Sequence, residues 1–356
     1  MTVHLSDLIA TRPRIREWTD VTPELFRAEI LPRQEPAVLR GLVADWPLVR
    51  AGAESPAALV DYLAGFATAA PVPATTGPPS IKGRIFYSPD MRGLNVHSAP
   101  QKLVNVLRGL LKQMDAPEPI LVAMQSVPVA EHLAGLEEAN PMPLLAPAVK
   151  PRAWIGNAAT VAPHFDLYEN LACVAAGRRR FILFPPEQVA NLYVGPVDFT
   201  PAGTPVSMVD LAEPDLERFP KFEVAAAAAL VAELVPGDVI FVPYLWWHAV
   251  QSLDGFNMLV NYWWSESQAP EDHPITALIH TALALRGLSP HQRSLWRAVF
   301  DHYVFTGDDP LGHVPPESRG ALGALDDERV AMVRRKVVGD LQRLLPRGGS
   351  GGEGSS

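Results

Sequence analysis

The stretch Ala153-Trp154-Ile155-Gly156-Asn157-Ala158-Ala159-Thr160-Val161-Ala162-Pro163-His164-Phe165-Asp166 decides how this chain is read. A second segment answers it, Phe241-Val242-Pro243-Tyr244-Leu245-Trp246-Trp247-His248. Side chains alternate across a strand, so His164 and Asp166, two apart, face one side while Phe165 turns away. Two ligands on one strand need a third from elsewhere. His248 supplies it from an apolar run rich in β-formers that opens on the turn signal Pro236-Gly237-Asp238. A histidine and an aspartate at this spacing are common in folded chains without any ion. Three such groups, two imidazoles and a carboxylate on one face of a metal, leave the remaining positions open for other molecules, as non-haem Fe(II) sites require. His164, Asp166 and His248 are therefore read as one metal site.

Composition narrows the class of molecule around that site. The chain has 356 residues, 48% of them hydrophobic, with 36 Pro and 25 Gly. That supports a buried core with many ordered turns, and one barrel-type domain with helical elaborations rather than several independent ones. Cys173 is the single cysteine, so no intramolecular disulfide can form and the fold does not call for an oxidising compartment. Met1 to Leu8 lacks a basic region followed by an apolar one, so no secretory signal is expected. The longest apolar runs fall short of the ~18 residues a membrane span needs. A formal charge of −9 disfavours unspecific attraction to nucleic acid. The expected setting is the cytoplasm.

Taken in order, Thr22-Pro23 and Ser55-Pro56 place a capping hydroxyl before a proline at the first helical position, which predicts two short helices. Between them Pro36–Gly41 is a strand candidate, and Trp46 is a packing anchor in the following turn. Residues 67–80, rich in Ala, Pro and Thr, suit a surface connection. Arg84–Ser88 reads as a strand, and Gln101–Met114 as an amphipathic helix burying Leu103, Val106, Leu107 and Leu110. Ile120–Ser126 is a buried strand, and Gly135–Pro151 wraps the outside. From Trp154 to Trp264 short strands recur between turns, the pattern of a closed antiparallel barrel or jelly roll. Beyond Ser265 the period becomes helical three times, at Ile275–Leu283, Leu295–Tyr303 and Val330–Leu344. Ser350–Ser356 carries no apolar side chain to bury and is expected to be flexible. There is no internal repeat and no sustained heptad.

The ligand segments, the run Asn170-Leu171-Ala172-Cys173-Val174-Ala175-Ala176-Gly177-Arg178-Arg179-Arg180-Phe181-Ile182-Leu183-Phe184-Pro185-Pro186 between them, and Asn257-Met258-Leu259-Val260-Asn261-Tyr262-Trp263-Trp264 after them resemble the JmjC or cupin-like dioxygenases. Within that family the likeness is greatest to the asparaginyl hydroxylases that act on hypoxia-inducible factor, and it covers about Pro36 to Trp264. It implies a mainly β fold, a double-stranded β-helix (jelly-roll, cupin-like) core with N-terminal and C-terminal helices. The implied divisions are accessory helices and strands over 1–119, the catalytic core over 120–264, C-terminal helices over 265–347 and a tail over 348–356.

The resemblance also implies Fe(II), 2-oxoglutarate as co-substrate, O2, and hydroxylation of a protein or peptide side chain with succinate and CO2 as co-products. Arg179 stands where those hydroxylases carry the lysine that meets the far carboxylate of 2-oxoglutarate, a role a guanidinium fork can fill. Asn170 and Asn261 match two asparagines of the co-substrate pocket. The chain departs at Val161 and Val122, which match a threonine and a tyrosine that contact 2-oxoglutarate, and at Ala202-Gly203-Thr204-Pro205, where the substrate-clamping residues are missing. A different substrate follows. Relatives dimerise through helices placed like those after Ser265, so a homodimer is expected. The alternatives are a hydroxylase of a tRNA base or small metabolite, and a non-catalytic cupin-type protein that binds a metal or ligand.

Overall fold

The computed structural model describes residues 13–265, 274–324 and 326–345. Met1–Leu8 and the Gly/Ser-rich end lie outside the described residues. The chain separates into two compact units, Met1–Glu266 and Ser267–Ser356. In the first, five strands precede the core: β1 (Arg16–Trp18), β2 (Ala37–Leu39), β3 (Pro71–Gly77), β4 (Arg84–Ile85) and β5 (His97–Lys102). Then come β6 (Leu121–Pro128), β7 (Pro151–Gly156), β8 (Ala159–His164), β9 (Glu169–Ala176), β10 (Arg179–Phe184), β11 (Leu230–Leu234), β12 (Val239–Val242), β13 (Trp247–Ser252) and β14 (Asn257–Trp264). They form a nine-stranded sheet, β1-β2-β12-β9-β14-β7-β6-β3-β5, and a five-stranded one, β11-β10-β13-β8-β4. The fold is the expected β core of cupin-like, jelly-roll type with helical additions.

The large sheet is apolar on both faces, and β9 shows why. Leu171, Cys173 and Ala175 point to a core shared with helices, while Ala172 and Val174 point to a second core between the sheets. A strand covered on both sides reads as an unbroken apolar run rather than an alternating one. All eight β9 residues are buried. The helical layer comes from the capped helices: Thr22 Oγ1 accepts from Leu25 N at 3.2 Å, and Ser55 Oγ from Ala58 N at 3.0 Å. The helix Leu103–Met114 buries Leu103, Val106, Leu107 and Leu110, each side chain worth about 1.5–3 kcal/mol on removal from water. Trp46 is buried and donates to Pro141 O at 2.9 Å, an anchor as expected.

Two expectations fail locally. Residues 67–80 are not a surface connection, because β3 lies inside the large sheet, paired with β5 and β6. Val72 and Ala74 are buried there, while Pro71 and Pro73 are exposed. Proline and alanine argue against a strand in isolation, but neighbours on both sides override that weak preference. The strand expected at Arg84–Ser88 keeps only Arg84 and Ile85 in parallel pairing with β8. Arg84 then turns to Asp210 at 2.9 Å and lies over the Phe86 ring.

The turn that returns β11 to β12 carries the chain from the small sheet to the large one. Gly237 has φ +96 and a Cβ there would lie 3.0 Å from Ala44 Cα, so the turn admits glycine alone without strain. The Asp238 carboxylate beside it accepts from Arg40 NH1, Gly41 N and Val235 N, which ties β12 to the N-terminal strands.

The C-terminal unit consists of helices Pro274–Leu285, Pro290–Tyr303 and Asp327–Leu344, at the three places where the sequence turned helical. The second opens on a capping box, Ser289 with Gln292.

Candidate metal centre

His164 ends β8 and pairs directly with His248 on β13. The ladder slips between His248 and Val250, so Val250 pairs with Val161 and an extra residue stands in β8 before His164. A bulge of that kind lets Val161 and His164, an odd number apart, face the same cavity, and Pro163 sits at the interruption where no ladder donor is needed. The ring centroids of the two histidines are 4.3 Å apart. Asp166 lies just past the end of β8, in the connection to β9 rather than on the strand as alternation suggested, and still comes to the histidines. One donor atom from each of His164, Asp166 and His248 lies within 4.8 Å of the others.

The backbone prepares both imidazoles for a cation. His164 Nδ1 is 2.9 Å from Ala162 O and His248 Nδ1 is 3.0 Å from Trp246 O. A carbonyl only accepts, so each Nδ1 carries the proton and each Nε2 presents a lone pair. Burial, and next the neighbouring His248, hold His164 down to about 4, so it is neutral at physiological pH. The Asp166 carboxylate faces His248 Nε2 at 3.6 Å. Its Oδ2 accepts from Asn170 Nδ2 at 3.1 Å and Trp263 Nε1 at 3.0 Å. Two imidazoles with Nδ1 engaged by backbone carbonyls, an anchored carboxylate and an open side fit a divalent metal of the Fe(II) type.

The cavity around these groups is about 100 Å³ and runs between the two sheets. Its walls include Ile85, Val161, Phe181, Val206, Val250 and Leu259. Of the arginine triple only Arg179 enters it. Arg178 pairs with Asp254 at 2.8 Å and Arg180 with Glu233 at 2.6 Å, both on the outer side. Arg179 shares its face of β10 with Phe181 and Leu183, which belong to the core between the sheets. It is buried, its Nε has no hydrogen-bond partner among the described residues, and burial lowers the guanidinium to about 10, which leaves it charged. A buried cation without an anion is costly, so the cavity is suited to a negatively charged group.

Asn170 and Asn261 line the same cavity, as does Val161. Val122 does not: it packs with Met124 in the helix-facing core. Strand parity then turns Gln125 into the cavity, and a bulge with Ser126 at φ +54 returns Val127 to the helix side. Alternation alone sets Gln125 opposite Val122 and Met124, and the pairing of β6 with β3 and β7 decides which of the two faces meets the cavity. Of the four tryptophans near the ligands, Trp247 packs on Phe165 and Trp264 on Phe241. Trp246 donates to Gln34 O, and Trp263 alone reaches the site. Thr204 Oγ1 donates to Phe165 O at 2.6 Å, so the loop lacking the substrate clamp is latched to the ligand segment instead.

The chain is 28% identical over 246 residues to lysine-specific demethylase 8 of Xenopus tropicalis, covering 68% of this chain and 51% of that protein. It is 35% identical over 151 residues to HSPB1-associated protein 1 of Bos taurus, covering 40% and 30%. To Jumonji C domain-containing protein 5 of Drosophila melanogaster it is 38% identical over 118 residues, covering 33% and 28%. The chain thus spans from 28% to 51% of the length of these relatives. A family model described as a cupin-like domain matches residues 23–269, which takes in every strand but β1 and all three candidate ligands. Proteins named for a JmjC domain are among those it is similar to, and on the family match the chain belongs to the cupin-like domain family.

Proposed function

We propose that the chain is an Fe(II)- and 2-oxoglutarate-dependent oxygenase that hydroxylates a protein or peptide side chain in the cytoplasm. The observation that carries this reading is Arg179, a buried guanidinium with an unpartnered Nε in the cavity that also holds the three candidate ligands. Zinc would suit the ligands equally, but a free cation behind them is useful only to an anionic co-substrate. His164, Asp166 and His248 would hold the metal. Arg179 would grip the far carboxylate of 2-oxoglutarate, and Asn170 and Asn261 would line its path. The departure at Val161 leaves that grip to the guanidinium fork, with Gln125 as a further hydrogen-bonding group. With metal and co-substrate bound, the centre supplies the oxidising power to place one oxygen atom of O2 on a C–H bond, with succinate and CO2 released. The apolar walls exclude water from that chemistry.

The resemblance of the ligand-bearing segments to asparaginyl hydroxylases supports hydroxylation, while the altered loop at Ala202–Pro205 supports a different target. The test is incubation with Fe(II), 2-oxoglutarate and host lysate, followed by a mass search. Species that gain one oxygen atom alongside succinate are expected. Loss of a methylene group instead would assign demethylation, and no succinate at all would assign a non-catalytic cupin.

A further inference from the structure

Asp166 is held from two directions by groups that lie on neighbouring strands of the large sheet. Asn170 on β9 and Trp263 on β14 are cross-strand partners, and both donate to Asp166 Oδ2. Behind them the contacts continue. Trp154 Nε1 on β7 donates to Asn261 Oδ1 at 2.8 Å, and Asn261 Nδ2 donates to Asn170 Oδ1 at 3.4 Å, the longest link. The series runs Trp154 to Asn261 to Asn170 to Asp166. Its direction is settled at the Trp154 end, because an indole N–H can only donate, and the Asp166 oxygen at the other end also accepts from the Trp263 indole. Reversing either amide would set oxygen against oxygen at one end and N–H against N–H at the other. Asn261 and Asn170 are both buried, so water does not readily replace a lost link.

We infer that Trp154, Asn261 and Asn170 form a one-way hydrogen-bond relay which, with Trp263, fixes the Asp166 carboxylate in its metal-binding orientation. The two asparagines are then positioning residues that act through Asp166, whatever contact they also make with co-substrate. Bonds in series polarise one another, so an N–H removed at the far end weakens the last link. This rests on the metal reading of His164, Asp166 and His248 proposed above.

The experiment measures Co(II) affinity of the full chain by calorimetry, with no co-substrate and no turnover. Asn170→Ala is expected to weaken Co(II) binding by about 10-fold or more, as loss of a ligand's hydrogen-bond partner does. Trp154→Phe keeps the ring that meets Trp263 edge-on at 6.1 Å and removes only the donor, so a smaller fall of about 3- to 10-fold is expected. The double variant should bind like Asn170→Ala alone, because the relay is already cut. Asn261→Ala, paired with Asn170→Ala in the same way, serves if Trp154→Phe does not fold. Parental affinity in Trp154→Phe, or losses that multiply in the double variant, would overturn the relay while leaving the metal site standing. A parent chain that binds no Co(II) would remove the metal reading and the relay together.

Discussion

Arg179 concentrates the question of function in one side chain, a buried guanidinium whose Nε has no hydrogen-bond partner among the described residues, since a buried charge is tolerated when a partner completes it. Removing a charge-assisted contact in a closed pocket costs about 2–5 kcal/mol, or roughly 30- to 4000-fold at ~1.4 kcal/mol per decade. Arg179→Ala should therefore raise the 2-oxoglutarate concentration needed for half-maximal succinate formation by at least an order of magnitude. Metal affinity should hardly change, and an unaltered requirement would move the anchor elsewhere. His164→Ala or His248→Ala should abolish both metal binding and succinate formation while the circular dichroism stays that of the parent. Wild-type iron content in either variant would refute the ligand assignment.

His164 also predicts a pH dependence. An unfolded histidine takes its proton near 6.5 and the folded one only near 4, so between those values the unfolded state binds more protons. Stability of the metal-free protein should accordingly fall as pH drops from about 6.5 towards 4. Melting temperatures across that window test it, and the slope should be shallower in His164→Asn.

Among the elements, β6 shows how a local irregularity serves the site. Ser126 sits at φ +54, which costs a non-glycine residue of order 1 kcal/mol and persists only when its surroundings hold it. Arg152 on β7 does so, donating from Nε to Ser126 Oγ at 2.6 Å and from NH2 to Ser126 O at 2.7 Å. The bulge lets one strand give Gln125 to the cavity and Val127 to the helix-facing core. Arg152→Ala leaves the bulge without its clamp and should lower unfolding free energy by about 1–3 kcal/mol, measured by urea denaturation. Ser126→Gly in the same background should restore part of that loss, because glycine carries no penalty at positive φ. No restoration would mean the clamp acts elsewhere.

At the scale of the whole molecule, homodimerisation through the C-terminal helices is a proposal with a clear consequence. None of the three helices has a buried residue, and Trp296, Val299, Val337 and Leu341 are exposed on them. Symmetric pairing would cover the same patch on both chains, and an obligate dimer typically buries ~2,000 Å² or more in total. Truncation before Asp326, or Asp at both 337 and 341, should turn a dimer into a monomer by light scattering at micromolar concentration. A parent chain that scatters as a monomer under those conditions would end the idea.

The sequence by itself determined the class of fold and the three residues from which a metal site is read. Period-two runs, turn residues and capped helices are local patterns, and His164, Asp166 and His248 stand out because ligand chemistry restricts the residue types. The family resemblance singles out Arg179, and strand alternation sets it on the face opposite Arg178 and Arg180. Tertiary structure decided what depends on partners distant in sequence. It made 71–77 an inner strand against its own composition, turned Val122 to the helices and Gln125 to the cavity, and joined Trp154, Asn261, Asn170 and Trp263 behind Asp166. Pairing register, bulges and side-chain hydrogen bonds across β7, β14 and β9 are set by contacts between segments roughly 80 to 110 residues apart, and no local pattern encodes those contacts.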